Sequence, residues 1–201
     1  EKAKYYFELA AEDGNNFALS YLANMYINGF GTPKDYSKGR YYLELMCENG
    51  FYRAFVELGD LYLSGMGDKP NYEKAKECYE IAANTNSQQA NFKLGLLYYT
   101  GHGVKQDYEK AKKYFELAAR EYHPDAFYML GIIYFYGFGV KKDLRLAKQY
   151  FELAANQNNT KSMIFLSDFF STFEFNISKA IQYLSKCYKM DDVEYQMILC
   201  L

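Results

Sequence analysis

Residues 94–119 read LGLLYYTGHGVKQDYEKAKKYFELAA, and the pattern within them returns every 36 residues along the chain. Its first leucine, Leu94, has counterparts at positions 22, 58, 130 and 166. A small residue stands four positions before each leucine and an aromatic residue four positions after it, as Ala90 and Tyr98 do. Positions spaced four apart lie on one face of an α-helix. The first part of each period therefore predicts a helix with one apolar face.

The second part of the period, YEKAKKYFELAA, predicts another helix, because small, aromatic and alanine positions again recur at helical spacing. Asp107 precedes this helix, where its side chain can accept hydrogen bonds from the first turn. The same place is held in the other periods by Asp35, Asn71, Asp143 and Asn176. Gly95 follows the leucine, and a small residue recurs there in each period although glycine weakens a helix interior. That position predicts a close approach of the second helix.

A G-x-G turn stands between the two helices, as GHGV in this period and as GFGT, GMGD and GFGV in others. We reject a phosphate-binding loop, because the turn follows a helix rather than a strand and lacks the third glycine or the lysine of such loops. The first glycines of these turns are predicted to end helices in the left-handed conformation, and the second glycines to allow a tight reversal.

The register predicts an all-α fragment of a longer protein, a single solenoid over residues 1–201. Its repeats are a partial one at 1–15, complete ones at 16–51, 52–87, 88–123 and 124–159, a divergent one at 160–192 and a partial one at 193–201. The predicted helices are 1–13, 16–29, 36–49, 52–65, 72–85, 88–101, 108–121, 124–137, 144–157, 160–172, 177–189 and 193–201. Neither end has the polar character of a capping repeat, which leaves self-association through the ends open.

Composition excludes several classes of function. With 23 basic and 25 acidic residues and a net charge of −2, the chain lacks the basic surface that nucleic-acid binding needs. No apolar run is long enough for a membrane span. Four cysteines without a CxxC pair and only two histidines argue against a metal site, and no cofactor is predicted. We expect Cys47, Cys78, Cys187 and Cys200 to be reduced, which favours the cytoplasm over the secretory pathway, the endoplasmic reticulum lumen or the periplasm.

The stretch at 94–119 resembles the Sel-one-like repeat (SLR), a relative of the tetratricopeptide repeat, with glycine, aspartate and alanine at the family's offsets. Four repeats match well, and the fifth matches only in its helices because STFEFN replaces its glycine turn. The resemblance implies two-helix units stacked into a right-handed α/α superhelical solenoid with a concave inner face. It also implies scaffold or adaptor work and identifies no catalytic residues.

Protein–protein interaction is therefore the predicted function, with a peptide or partner helix bound in the concave groove. An enzyme is not predicted, because the repeated charged residues are typical of solvated helix faces. A structural or regulatory arm of a larger enzyme or complex remains the alternative, its catalytic part lying outside these residues.

In the related tetratricopeptide fold the inner face of each first helix lines the groove. The corresponding positions here are 17, 20, 24, 27 and 28, repeated every 36 residues. The predicted binding residues at these positions are Phe92, Leu96, Tyr99, Tyr128, Ile132, Phe135 and Tyr136, with Arg53 and Asp60 setting the partner's orientation at one end. The alternative for positions 20 and 27 is that they pack one first helix against the next, so Leu96, Ile132 and Tyr136 carry most of this prediction.

Overall fold

A computed structural model of the chain describes residues 2–189. This part contains eleven α-helices and no strand, as the all-α prediction requires. The helices are α1 (Lys2–Glu12), α2 (Asn16–Asn28), α3 (Tyr36–Glu48), α4 (Ala54–Ser64), α5 (Tyr72–Ala83), α6 (Gln88–Thr100), α7 (Tyr108–Arg120), α8 (Pro124–Tyr136), α9 (Leu144–Asn156), α10 (Thr160–Thr172) and α11 (Ile177–Lys189). The predicted helix at 193–201 lies outside the described residues.

The backbone contacts group into two compact units, residues 1–106 and residues 107–201. The boundary falls inside the third repeat, between α6 and α7. In the first unit α1 to α6 pack in sequence, each on the next, and in the second unit α7 to α11 do the same. Each unit has its own apolar core, one built around Leu19, Leu22 and Leu43 and the other around Phe151 and Leu166.

Helix starts follow the predicted capping chemistry. The side-chain oxygens of the five predicted caps each accept a hydrogen bond from the backbone N–H three residues on, at 2.9–3.0 Å; the caps are Asp35, Asn71, Asp107, Asp143 and Asn176. The first helices of three repeats are capped by Asn15, Ser87 and Asn159. Phe51 occupies that place in repeat two and offers no acceptor, and α4 begins at Ala54, two residues later than predicted.

The small residue after each leucine makes room for an aromatic ring, as the sequence predicts. A Cβ at Gly59 would lie 2.5 Å from the ring of Tyr79, and a Cβ at Gly131 would lie 2.6 Å from the ring of Phe151. Both rings belong to the second helix of the same repeat and are completely buried. Glycine weakens the helix at these positions, but the missing side chain leaves room for the ring. The two helices of the repeat can therefore pack closely.

The second glycine of the turn has a packing role that the sequence analysis missed. Gly103 has a φ of +70°, and a Cβ there would lie 2.2 Å from the Cβ of Tyr72, at the start of the preceding second helix. Gly139 meets Tyr108 in the same way, at 2.9 Å. The turn therefore packs against the neighbouring repeat as well as reversing the chain. Gly31 is different, because its nearest neighbour would be the Met25 side chain at 3.8 Å.

Candidate functional site

The predicted binding residues of α8 divide into those that pack inside the protein and one that does not. The ring of Phe135 packs edge-on against the ring of Phe165 in α10, with centroids 4.9 Å apart. Tyr128 packs against Phe151 with centroids 5.8 Å apart, and half-buried Ile132 also contacts the core. Phe135 therefore packs on the next first helix, α10, which is the contact that the alternative expects, whereas Tyr128 packs on the second helix of its own repeat, α9.

Tyr136 differs from these three residues. It lies at the last turn of α8, and 57% of its surface is exposed. Its ring stacks on Phe138 of the following turn at 5.4 Å and meets Phe135 edge-on at 5.0 Å. An aromatic side chain that is fixed on two sides and exposed on a third offers a preorganised contact surface, because little side-chain freedom is left to lose.

The predicted residues of α6, which belongs to the first compact unit, are each half-buried; they are Phe92, Leu96 and Tyr99. The next groove position, Thr100, is exposed, but its hydroxyl donates to the carbonyl of Leu96 at 2.9 Å. The exposed part of this helix face is therefore less apolar than the sequence alone indicates.

Asp60 is engaged in the fold of the first unit. Its Oδ1 accepts a hydrogen bond from the hydroxyl of Tyr79 in α5 at 2.6 Å and forms an ion pair with Lys93 of α6 at 2.7 Å. Burial of Tyr79, followed by this bond to Asp60, raises the pKa of the Tyr79 hydroxyl. Asp60 thus links three helices. Its predicted role in orienting a partner would have to coexist with these bonds.

Arg53 is exposed just before α4 and lines a cavity of about 280 Å³ in the first compact unit. The other lining residues are Asn16, Phe17, Ser20, Phe51 and Glu57. Phe17 and Ser20 are groove positions of repeat one, and Arg53 is the corresponding position of repeat two. Burial raises the pKa of the Glu57 carboxyl, while the charge of Arg53 acts to lower it. The sequence patterns did not predict this cavity.

Phe51 was the signal that could have located this cavity. It stands where three other repeats place a helix-capping residue, and it is 38% exposed beside the 80% exposed Phe17. A large apolar residue in a capping position forgoes a hydrogen bond. Phe51 and Phe17 instead give the cavity its apolar lining, and the charged residues Arg53 and Glu57 line it as well.

Within residues 2–189 no group of three or more His, Cys, Asp or Glu side chains could hold a metal ion. None of the described helices is both long enough and apolar enough to cross a membrane. Cys47, Cys78 and Cys187 form no disulfide among the described residues, and Cys200 lies outside them. Burial, the largest cause in each case, raises the pKa of Cys47 to about 12 and that of Cys78 to about 11.

Two-helix repeats with a fixed period, capped and turned alike, define an α/α repeat protein. The Sel1 repeat model matches residues 1–15, 16–51, 56–86, 88–123, 124–159 and 162–192. The chain belongs to the Sel1 repeat family. Members of this family generally serve as scaffolds for protein–protein interaction. No curated protein matches the chain.

Solved structures with the same fold include a Sel1 repeat protein from Oxalobacter formigenes, with 26% identity and a TM-score of 0.81 over 90% of this chain and 75% of that one. A protective antigen of uropathogenic Escherichia coli with an SLR fold is 26% identical, with a TM-score of 0.79 over 98% of this chain and 43% of that one. An immunity protein from Pseudomonas aeruginosa is 22% identical, with a TM-score of 0.63 over 94% of this chain and 73% of that one, and shows the fold alone.

Proposed function

We propose that this chain is a scaffold or adaptor that holds a peptide or a partner helix against the inner faces of its first helices. The observation that carries the proposal is the cavity of about 280 Å³ beside Phe17, Ser20 and Arg53. These residues occupy groove positions of two consecutive repeats, so the cavity lies where a groove-bound segment would pass. It is large enough to take a side chain of such a segment.

The chemistry of the cavity indicates what side chain it would accept. Phe17 and Phe51 offer apolar ring surface, and Arg53 and Glu57 stand at the polar side. A side chain with an apolar body and a polar tip, such as tyrosine, matches both parts. Aromatic anchors of this kind commonly dominate the energy of an interface.

The predicted residues of α6 and α8 also contact the partner in this proposal, and the exposed fraction of each side chain determines how much it contributes. Tyr136 is the strongest, because more than half of it is exposed. Leu96 and Ile132 are half-buried and contribute only their exposed parts. Phe135 packs edge-on against Tyr136, and both Tyr128 and Phe135 pack against the core.

The test begins with peptides selected from a display library on the purified chain. Phe17→Glu should weaken the binding of selected peptides by about tenfold or more, because it removes ring surface and adds charge at an anchor site. Tyr41→Glu is the matched control, since Tyr41 is 57% exposed on the second helix of the same repeat. Equal binding by both variants and the unaltered chain would refute the cavity as the anchor.

The residues of α6 and α8 have their own test. Tyr136→Glu should reduce peptide binding, whereas Leu153→Glu, at a 46% exposed position of α9, should not. The double variant Leu96→Glu with Ile132→Glu should lose binding as well, and its helix content must be checked because both positions are half-buried. If the double variant keeps its helix content and still binds normally, the groove assignment on these helices is wrong.

A further inference from the structure

The repeats share a second feature outside the groove, in which cations lie over the aromatic residue of the first helix. In each case the cation comes from the neighbouring second helices, and its distance to the ring centroid is between 4.7 and 5.9 Å. The pairs are Lys4 and Lys38 with Tyr26, Arg40 and Lys74 with Tyr62, Lys112 with Tyr134, and Lys148 and Lys179 with Phe170. Such contacts hold the cationic heads in place.

In most repeats, the cation at one position of this pattern forms an ion pair with a carboxylate. Lys4, Lys76 and Lys112 pair with the glutamate four residues on, at 3.0–3.7 Å, and Lys148 pairs with Glu174. Arg40 holds the same position in α3 but forms no ion pair with any described residue. Its equivalent glutamate, Glu44, accepts a hydrogen bond from the hydroxyl of Tyr62 at 3.1 Å instead.

Arg40 is also left with an unused hydrogen-bond donor. Its Nε is buried and has no acceptor among residues 2–189. A buried donor without a partner is unfavourable, and more so when the group is charged. The guanidinium of Arg40 is therefore incompletely satisfied by the described residues.

Arg40 also lines a cavity of about 230 Å³ within the first compact unit. Arg40, Lys69 and Lys74 line it, with Tyr62 and Asn71 on its walls. We call this cavity the basic turn pocket. Asp68 is the one carboxylate among its lining residues, so three cations face one anion. Neither Lys69 nor Lys74 forms an ion pair in the described part of the chain.

We propose that the basic turn pocket binds a phosphate group. Arginine presents its N–H donors in a planar fork that matches two oxygens of a phosphate, and the Arg40 guanidinium forms no ion pair with any described residue. Three cations favour the dianionic phosphate over a carboxylate, which carries a single charge. The phosphate can be free in solution or attached to a phosphorylated side chain of a protein. The pocket uses none of the groove positions, so this inference does not rest on the proposed function.

The test is a titration of the whole chain with inorganic phosphate at constant ionic strength, followed by NMR of the arginine Nε–H groups and by calorimetry. We expect the Nε–H resonance of Arg40 to shift and saturate. Arg40→Gln should weaken phosphate binding by about tenfold, because it removes both the charge and the fork. Arg40→Lys keeps the charge and should still weaken binding, while Lys74→Gln tests the pocket without altering Arg40.

Lys76→Gln is the matched control, since Lys76 holds the place of Arg40 in the next repeat but pairs with Glu80. It should bind phosphate like the unaltered chain. A phosphoserine peptide and its unphosphorylated form separate the two sources: tighter binding of the phosphopeptide than of inorganic phosphate indicates a protein-borne phosphate, and equal binding indicates a free one. Absence of saturable binding, or binding that Arg40→Gln and Lys74→Gln leave unchanged, would overturn the proposal.

Discussion

At the level of single residues, full burial and helix capping differ in their contributions to stability. Leu94 is completely buried, so Leu94→Ala should lower the free energy of unfolding by about 2–5 kcal/mol through lost burial and a cavity. Asp107 makes one capping hydrogen bond, to the Lys110 N–H, so Asp107→Ala should cost about 1 kcal/mol. Urea denaturation followed by circular dichroism measures both, and the reverse order would contradict this account.

Cysteine reactivity provides a second prediction for single residues. A thiolate rather than a thiol reacts with alkylating reagents. Burial raises the pKa of Cys47 to about 12 and that of Cys78 to about 11, so both remain protonated at neutral pH. We expect iodoacetamide to label them much more slowly than a small free thiol at pH 8, with the rate still rising toward pH 10. Rapid labelling of Cys47 or Cys78 at pH 8 in the native protein would refute this prediction.

At the level of the helices and their turns, Tyr122 occupies a conformation that suits glycine. It follows α7 with a φ of +60°, whereas the corresponding residues of earlier repeats are Gly14, Gly50 and Asn86. The left-handed conformation costs most residues about 1–2 kcal/mol. Tyr122 is 75% exposed, so little packing is lost on replacement. Tyr122→Gly should therefore raise the free energy of unfolding by up to about 1 kcal/mol, while Tyr122→Ala, which keeps the strain, should not.

The G-x-G turn gives a matched pair of glycines. Gly103→Ala forces a Cβ against Tyr72, while Gly31→Ala makes only an ordinary van der Waals contact with Met25; both positions have a φ near +70°. Both variants carry the conformational cost, but only Gly103→Ala must also displace the preceding repeat. Thermal melts should show a larger fall in Tm for Gly103→Ala, with a difference of about 2–4 °C, the equivalent of about 1 kcal/mol. Equal falls in Tm for the two variants would show that the second glycine serves the turn alone.

At the level of the whole molecule, the packing between helices is local in sequence. Within each compact unit the helices pack on their neighbours along the chain, as expected of a repeat array whose stability is a sum over adjacent elements. A fragment of residues 1–106 should therefore retain most of its helix content and unfold with a sigmoidal transition. A disordered fragment by circular dichroism would show that the first unit depends on the second.

The amino-acid sequence by itself determined the helices, their caps and the glycine turns. These features depend on interactions within a few residues, such as the bond from the Lys38 N–H to Asp35, and the 36-residue register repeats them. Two boundaries lie two residues from their predicted places, the start of α4 and the end of α5. The first has a local cause, because Phe51 replaces a capping residue. The sequence further indicated the family, whose motif is itself a set of local offsets.

Only the tertiary structure decided which side chains of the predicted surface remain available. Phe135 is packed by Phe165, and Asp60 is bound by Tyr79 and Lys93, partners that come from other repeats or other helices. The cavity beside Phe17 and the basic turn pocket likewise depend on single departures from the repeat, at Phe51 and Arg40. A repeating pattern specifies average positions. Whether a given side chain is paired, covered or open depends on the size and charge of neighbours across a helix–helix contact, where the repeats differ.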